Sequence, residues 1–224
     1  MKKAGPIATQ DGSHTLFSEL TGEHYHSVFG AVQESEHIFI GAGLNGFGKR
    51  PAGILRVLEI GFGTGLNALL TLKWAESHKT KVAYEAVEAY PPDLDTLQAL
   101  NYPAMLSVDP SLFLQLHRAS GIRSVTSWFS LQLFYTKFQD YQPVENRFHV
   151  VFFDAFSPES QPEMWSRQGF EKLYKALVDD GVLVTYSCKG TVKRALKAAG
   201  FQIEKLPGPP GKREFLRAVK RKRL

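Results

Sequence analysis

Three stretches of the chain put chemistry-bearing residues at the ends of apolar runs. Glu59-Ile60-Gly61-Phe62-Gly63-Thr64-Gly65-Leu66-Asn67 closes a run that begins at Ile54 and passes straight into helix-forming residues. Alternating glycines in such a turn let bare backbone N–H groups approach a nucleotide-like ligand with no Cβ in the way. Val87-Glu88-Ala89-Tyr90-Pro91 puts a carboxylate at the end of the next run. Phe152-Phe153-Asp154-Ala155-Phe156-Ser157-Pro158 ends a third run in another carboxylate. Asp154 is costly to bury unless it bonds something. Within reach of an amine it can orient the N–H and act as base. Phe156, beside it, is placed to stack on a planar acceptor or to shield the site from water.

The spacing also excludes chemistry. A dinucleotide fingerprint, G-x-G-x-x-G, needs its third glycine at position 66, where Leu66 stands, so NAD and FAD are disfavoured. No Gly-Lys-Ser/Thr follows, which excludes a Walker-type phosphate loop. His24 and His26 share one face of an extended segment, but no third ligand has convincing spacing, so no metal is expected. Cys188, the single cysteine, lies just after a strand, where a small buried residue is commoner than a nucleophile. One cysteine allows no intramolecular disulfide, which fits a reducing cytoplasm.

The elements that must position these residues alternate. Strands are expected at 54–60, 81–88, 128–138, 148–154 and 181–187, and helices at 65–77, 93–100, 109–118, 163–178 and 190–199. Segments 201–206 and 213–219 form a closing antiparallel pair around Pro207-Gly208-Pro209-Pro210-Gly211. Strands separated by helix-length segments imply an α/β, Rossmann-like, mostly parallel sheet with ligands beyond the strands' carboxyl ends. Residues 51–224 make this domain. Residues 1–50 read as an N-terminal extension packed on it, with short strands at 14–17 and 36–40 and glycines 41, 43, 46 and 48 leading inward.

With 43% hydrophobic and 22% charged residues in 224, the chain suits one soluble globular domain. No stretch approaches about 20 apolar residues, and no apolar segment follows the basic start, so neither membrane span nor signal peptide is supported. Net charge is +5, and Lys205, Lys212, Arg213, Arg217, Lys220, Arg221, Lys222 and Arg223 crowd the end. Such a cluster suits a polyanion, or else makes a solvated, partly frayed tail.

Glu59-x-Gly61-x-Gly63-x-Gly65 resembles motif I of class I S-adenosylmethionine-dependent methyltransferases. More specific words follow: Asp11-Gly12-Ser13, Tyr25-His26-Ser27, Glu34-Ser35, Phe62-Gly63-Thr64-Gly65-Leu66-Asn67, Gln161-Pro162-Glu163-Met164-Trp165 and Gly211-Lys212-Arg213-Glu214. Together they resemble, over nearly the whole chain, the methyltransferase family of tRNA wobble-uridine modification, both MnmC-type domains and stand-alone MnmD-like proteins. The resemblance implies S-adenosyl-L-methionine as cofactor, without FAD or metal. It implies transfer to the exocyclic amine of 5-aminomethyl-(2-thio)uridine in the anticodon stem-loop of tRNA. Carried over by position, Asp154 is the catalytic residue. Glu59, Gly61, Gly63, Thr64, Gly65, Asn67 and Glu88 hold cofactor. Tyr25, Glu34, Phe156 and Trp165 line the acceptor pocket, while Lys212 and Arg213 meet RNA backbone.

Fused members carry a C-terminal FAD-dependent oxidase. With the sequence ending at Leu224, that activity is expected from a separate enzyme acting upstream. The pattern departs from related methyltransferases after the third strand, where Leu131-Gln132-Leu133-Phe134-Tyr135-Thr136-Lys137-Phe138-Gln139 offers no adenine-reading acid before Asp140. Two other readings use the same fold. A polyamine-forming aminopropyltransferase expects acidic clusters, against which the basic C-terminus argues. A non-catalytic RNA- or cofactor-binding module would not need the Asp154 turn.

Overall fold

Val57 and Leu58 are neighbours in the sequence but are buried in different cores, and that alternation organises the molecule. A computed structural model of the chain describes residues 5–48, 51–118 and 121–222. Its main sheet holds β5 (Leu55–Ile60), β6 (Val82–Glu88), β7 (Ile122–Ser124), β8 (Phe129–Tyr135), β9 (Phe148–Phe153), β10 (Leu177–Thr185), β11 (Gln202–Pro207) and β12 (Glu214–Val219). Their spatial order is β11-β12-β10-β9-β5-β6-β8-β7. The five central strands, β10 through β8, pair in parallel, while β12 is antiparallel to both β10 and β11. This is the mostly parallel sheet with an antiparallel C-terminal pair that the sequence implies.

Both faces of the sheet are covered, which is why β5 and β9 read as nearly continuous apolar runs. On one face Val57, Tyr84, Phe152 and Val184 pack against α2 (Leu66–His78) and the short helices α3 (Leu94–Gln98), α4 (Tyr102–Leu106) and α5 (Pro110–Leu116). On the other, Leu58, Val151, Phe153 and Leu183 pack against α6 (Arg167–Ala176) and α7 (Gly190–Ala198). Strand order reverses between β5 and β9, and a crevice opens at the carboxyl ends of such neighbours.

The N-terminal residues lie against the first face as two small hairpins, β1 (Ile7–Ala8) with β2 (His14–Thr15) and β3 (Phe17–Ser18) with β4 (Glu23–His24). They are followed by α1 (Ala31–Ser35), which runs directly into a π-helix, Glu36–Asn45. Here the expected strand at 36–40 is corrected. Five apolar-rich residues fit either period, and packing decides: Ile38, Phe39, Gly43 and Leu44 are all buried toward the sheet. A Cβ on Gly43 would meet the Phe152 ring at 2.8 Å and Val184 at 3.2 Å, so the glycine lets helix backbone rest on β9 and β10.

Smaller differences have local causes. The helix expected at 163–178 divides into a 3₁₀ turn, Pro162–Trp165, and α6, which Ser166 caps by accepting from the Gly169 N–H at 3.1 Å. The expected strand at 14–17 divides between β2 and β3, and the antiparallel edge strand β7 and helix α4 had no sequence signal strong enough to name them.

Replacing Gly43 by alanine is expected to lower stability by about 1–3 kcal/mol through overpacking against Phe152. Gly53→Ala, with open space around it, should change stability by less than about 0.5 kcal/mol. Chemical denaturation of the two variants checks the contrast.

Candidate functional site

The turn after β5 is built against the end of β9. Asp154 donates its N–H to Ile60 O at 2.9 Å, and a Cβ on Gly61 would lie 2.5 Å from the Asp154 carbonyl oxygen. Gly61 has φ +89° and Gly63 φ +51°, the left-handed region that disfavours a side chain. Above them opens a cavity of about 1020 Å³. Its wall includes Gly61, Gly63, Thr64, Asn67, Glu88, Asp154, Phe156, Tyr25, Glu34 and Lys212, so most of the residues singled out from the sequence converge on one place.

Glu88, at the end of β6, holds the glycine turn. Its Oε2 accepts the Gly63 N–H at 2.8 Å and its Oε1 accepts the Tyr90 N–H at 2.7 Å. Burial pushes its carboxyl above the usual range, and these backbone N–H groups oppose the push. Asn67, in the first turn of α2, donates from Nδ2 to Glu59 Oε1 at 2.9 Å and to Asp154 Oδ2 at 2.8 Å. Desolvation raises Asp154 to about 7, with the Glu34 charge adding to the rise and the Asn67 bond and Lys212 charge opposing it. Glu59 is driven well above the usual carboxylate range by burial, countered by its bond from Asn67.

Four residues sit elsewhere than expected. Glu59 is completely buried behind Asn67 and is not on the cavity wall. Gly65 is also off the wall. Its φ of +75° and the His117 ring, 2.8 Å from where a Cβ would be, make it a packing glycine. Trp165, 5% exposed, lies beneath the pocket between Phe153 and Tyr186 and donates its indole N–H to the Phe156 carbonyl at 2.8 Å. It therefore props the Phe156 loop rather than lining the cavity. Arg213 is exposed and outside the wall, whereas its neighbour Lys212 reaches in to pair with Glu34.

The basic C-terminus is largely ordered into β11 and β12. Arg217 pairs with Glu204 at 2.6 Å and Lys205 with Glu214 at 3.4 Å. Lys220 is buried on Asn146 Oδ1 and Leu177 O. Arg213 and Lys222 remain exposed, and Arg223 lies outside the described residues. Cys188 is half-buried and packs on the second core.

Several site residues owe their roles to contacts that the sequence does not show. His26 Nε2 lies 2.7 Å from Thr64 Oγ1, and burial, with the Lys212 charge next, lowers the imidazole to about 4, so it is neutral at pH 7. Glu23 accepts from the Ser157 N–H at 3.0 Å and from both the Ser157 and Ser160 hydroxyls, the latter at 2.6 Å. The N-terminal hairpin thus grips the loop that follows Asp154. Tyr25 meets Phe156 edge-on at 5.0 Å. Residues 136–140, Asp140 among them, form another part of the wall. Among the described residues there is no group of three or more His, Cys, Asp or Glu side chains able to hold a metal, and no helix long and apolar enough to cross a membrane.

The glycine turn, the Glu88 carboxylate and the cavity fit a nucleoside-bearing sulfonium cofactor: Gly61 and Gly63, without side chains, line the cavity, and an acid stands at the adjacent strand end. Comparison with known proteins points the same way. Residues 116–221 match the model of an S-adenosyl-L-methionine-dependent methyltransferase family. The chain is 31% identical over 230 residues to the tRNA 5-methylaminomethyl-2-thiouridine biosynthesis bifunctional protein MnmC of Burkholderia mallei (strain SAVP1), covering 94% of this chain and 34% of that protein. The Burkholderia pseudomallei (strain K96243) protein of the same name matches at 31% identity with the same coverage. The chain therefore spans about a third of the length of these relatives. Among solved structures, MNMC2 from Aquifex aeolicus superposes with a TM-score of 0.78 at 26% identity, covering 96% of this chain and 69% of that one. Spermidine synthase from Thermotoga maritima, at 14% identity and TM-score 0.52, covers 93% of this chain and 68% of that one and shares the fold.

Glu23→Ala should free the 157–160 loop while the sheet stays intact. Hydrogen exchange at the Ser157 amide is expected to accelerate about tenfold or more, the loss of a charge-assisted bond, with the β5 and β9 amides unchanged.

Proposed function

We propose, on the premise that this chain belongs to the S-adenosyl-L-methionine-dependent methyltransferases, that it methylates the exocyclic amine of 5-aminomethyl-(2-thio)uridine at the wobble position of tRNA. The observation that carries this reading is Asp154: a carboxylate on the cavity wall, at the strand end beside the glycine turn, raised to about 7. An alkyl amine is protonated at neutral pH and has no lone pair to donate. A carboxylate of ordinary acidity is a weak base for it, whereas one near 7 is better matched to the task.

Gly61, Gly63, Thr64 and Glu88 hold the cofactor, with Glu88 toward the ribose hydroxyls. Bound S-adenosyl-L-methionine supplies an electrophilic methyl group on a sulfonium. Asn67 contributes by fixing the Asp154 carboxylate through a 2.8 Å hydrogen bond. Asp154 then orients the acceptor N–H and takes its proton. Phe156, steadied edge-on by Tyr25 and from below by Trp165, covers the acceptor base and keeps water out. Glu34 borders the acceptor side of the cavity, and Lys212 and Arg213 face the RNA backbone near the anticodon loop. Residues 1–50 serve as an extension of the 51–224 module, since Glu23, Tyr25, His26 and Glu34 all meet the site. The acceptor amine must be produced first, a task that falls to an FAD-dependent oxidase activity acting upstream in the cytoplasm.

Purified protein given methyl-labelled cofactor and tRNA from cells unable to complete wobble modification should label that tRNA at the wobble nucleoside. Absence of label in such tRNA would remove the substrate assignment. With labelling established, Asp154→Asn should lower kcat by about 10²–10⁴-fold while calorimetry shows cofactor affinity largely kept. Because the base must be ionised, wild-type kcat/KM should fall about tenfold per pH unit below a midpoint near 7 and level off above it. A profile flat from about pH 5 to 8 would argue against Asp154 as base.

A further inference from the structure

Lys212 is oddly placed for a residue that meets RNA phosphates. Its ammonium rests on Glu34 Oε1 and lies 4.6 Å from the centroid of the Tyr186 ring. Glu34, Tyr186, Asp154 and Lys212 share the cavity wall. Two carboxylates and an aromatic face make an enclosure that selects a cation. What occupies it is a methylene-borne primary ammonium, the same group that the proposed acceptor presents.

We infer that the enclosure formed by Glu34, Tyr186 and Asp154 is the subsite for the acceptor's aminomethyl cation, and that Lys212 fills it as an internal stand-in until RNA arrives. The inference rests on the methyltransferase reading above and deepens it.

The walls are fixed while the occupant is free to leave. Glu34 Oε2 accepts the Ser27 N–H at 3.1 Å, so the carboxylate keeps its place when Oε1 is vacated. Tyr186 is held by its hydroxyl, which donates to Ala155 O at 3.0 Å, and Asp154 by Asn67. Lys212 stands on a flexible four-carbon stem in the turn after Pro207-Gly208-Pro209-Pro210-Gly211, next to exposed Arg213. Swinging outward brings its charge to the RNA backbone and leaves the enclosure to the substrate. One residue thereby neutralises the paired carboxylates in the free protein and contacts phosphate in the complex. A neutral 5-substituent offers nothing to replace the departing ammonium, so the exchange selects for the aminated nucleoside.

Binding of free nucleosides separates this from a phosphate-only role, because a nucleoside has no phosphate for Lys212 to meet. Calorimetric or NMR titration uses 5-aminomethyluridine and its neutral counterpart 5-hydroxymethyluridine, with S-adenosylhomocysteine binding as the check that each variant is folded. Lys212→Met should tighten 5-aminomethyluridine about tenfold and leave 5-hydroxymethyluridine unchanged, and adding Glu34→Gln should abolish the gain. Lys212→Gln substitutes if the Met variant fails the folding check. Unchanged or weaker binding of the aminated nucleoside, or an equal gain for both nucleosides, would overturn the inference. Either result leaves the labelling of wobble-deficient tRNA to judge the activity independently.

Discussion

The Nδ2 group of Asn67 donates to two carboxylates at once, Glu59 Oε1 at 2.9 Å and Asp154 Oδ2 at 2.8 Å. Those carboxylates come from adjacent parallel strands, one from within β5 and one just beyond β9, and burial disfavours charge on both. Without the shared donor both would lose a side-chain hydrogen bond where burial already disfavours their charge, a costly arrangement. The donor can reach both only because α2 starts immediately after the glycine turn, and the turn can be that tight only because Gly61 and Gly63 accept positive φ. Fold and site thus meet in one amide: the geometry that folds the turn also sets how acidic Asp154 is.

Around this centre the first 35 residues contribute more than their small hairpins suggest. Glu23 grips the loop after Asp154, Tyr25 steadies Phe156, His26 bonds Thr64, and Glu34 holds Lys212. These four contacts join the N-terminal segment to three parts of the cavity: the loop after Asp154, the glycine turn and the C-terminal hairpin. The pocket is accordingly closed by chain that lies far away in sequence.

Periodicity was informative where burial on both faces left an unmistakable apolar signal, as in β5 and β9, and where Gly and Pro punctuated the chain around 207–211. It misled at 36–40, where Ile38, Phe39 and Ile40 fit a strand until the sheet demanded a glycine-bearing helix surface at Gly43. Among site residues, Asp154 and Glu88 were legible because an acid closing a buried apolar run is too costly to keep unless it binds something. Glu59 was found as a motif but its place was not, since a sequence cannot say whether an acid touches the ligand or stands one residue behind it. Trp165 shows the same limit: its word marked the region, and only packing made it a prop for Phe156. Glu23 and Tyr186 had no signal, and His26 was marked without its role, because these roles depend on contacts across 31 to 134 positions of chain.

The proposed chemistry depends on Asp154 accepting a proton near neutral pH. The direct measurement is a carbon-13 NMR titration of the aspartate side-chain carboxyls, with Asp154 assigned by its loss in Asp154→Asn. The expected midpoint is near 7, moved further up in Asn67→Ala, where an opposing hydrogen bond is gone. An Asp154 that titrates near the ordinary 3.8, or is indifferent to the loss of Asn67, would contradict it.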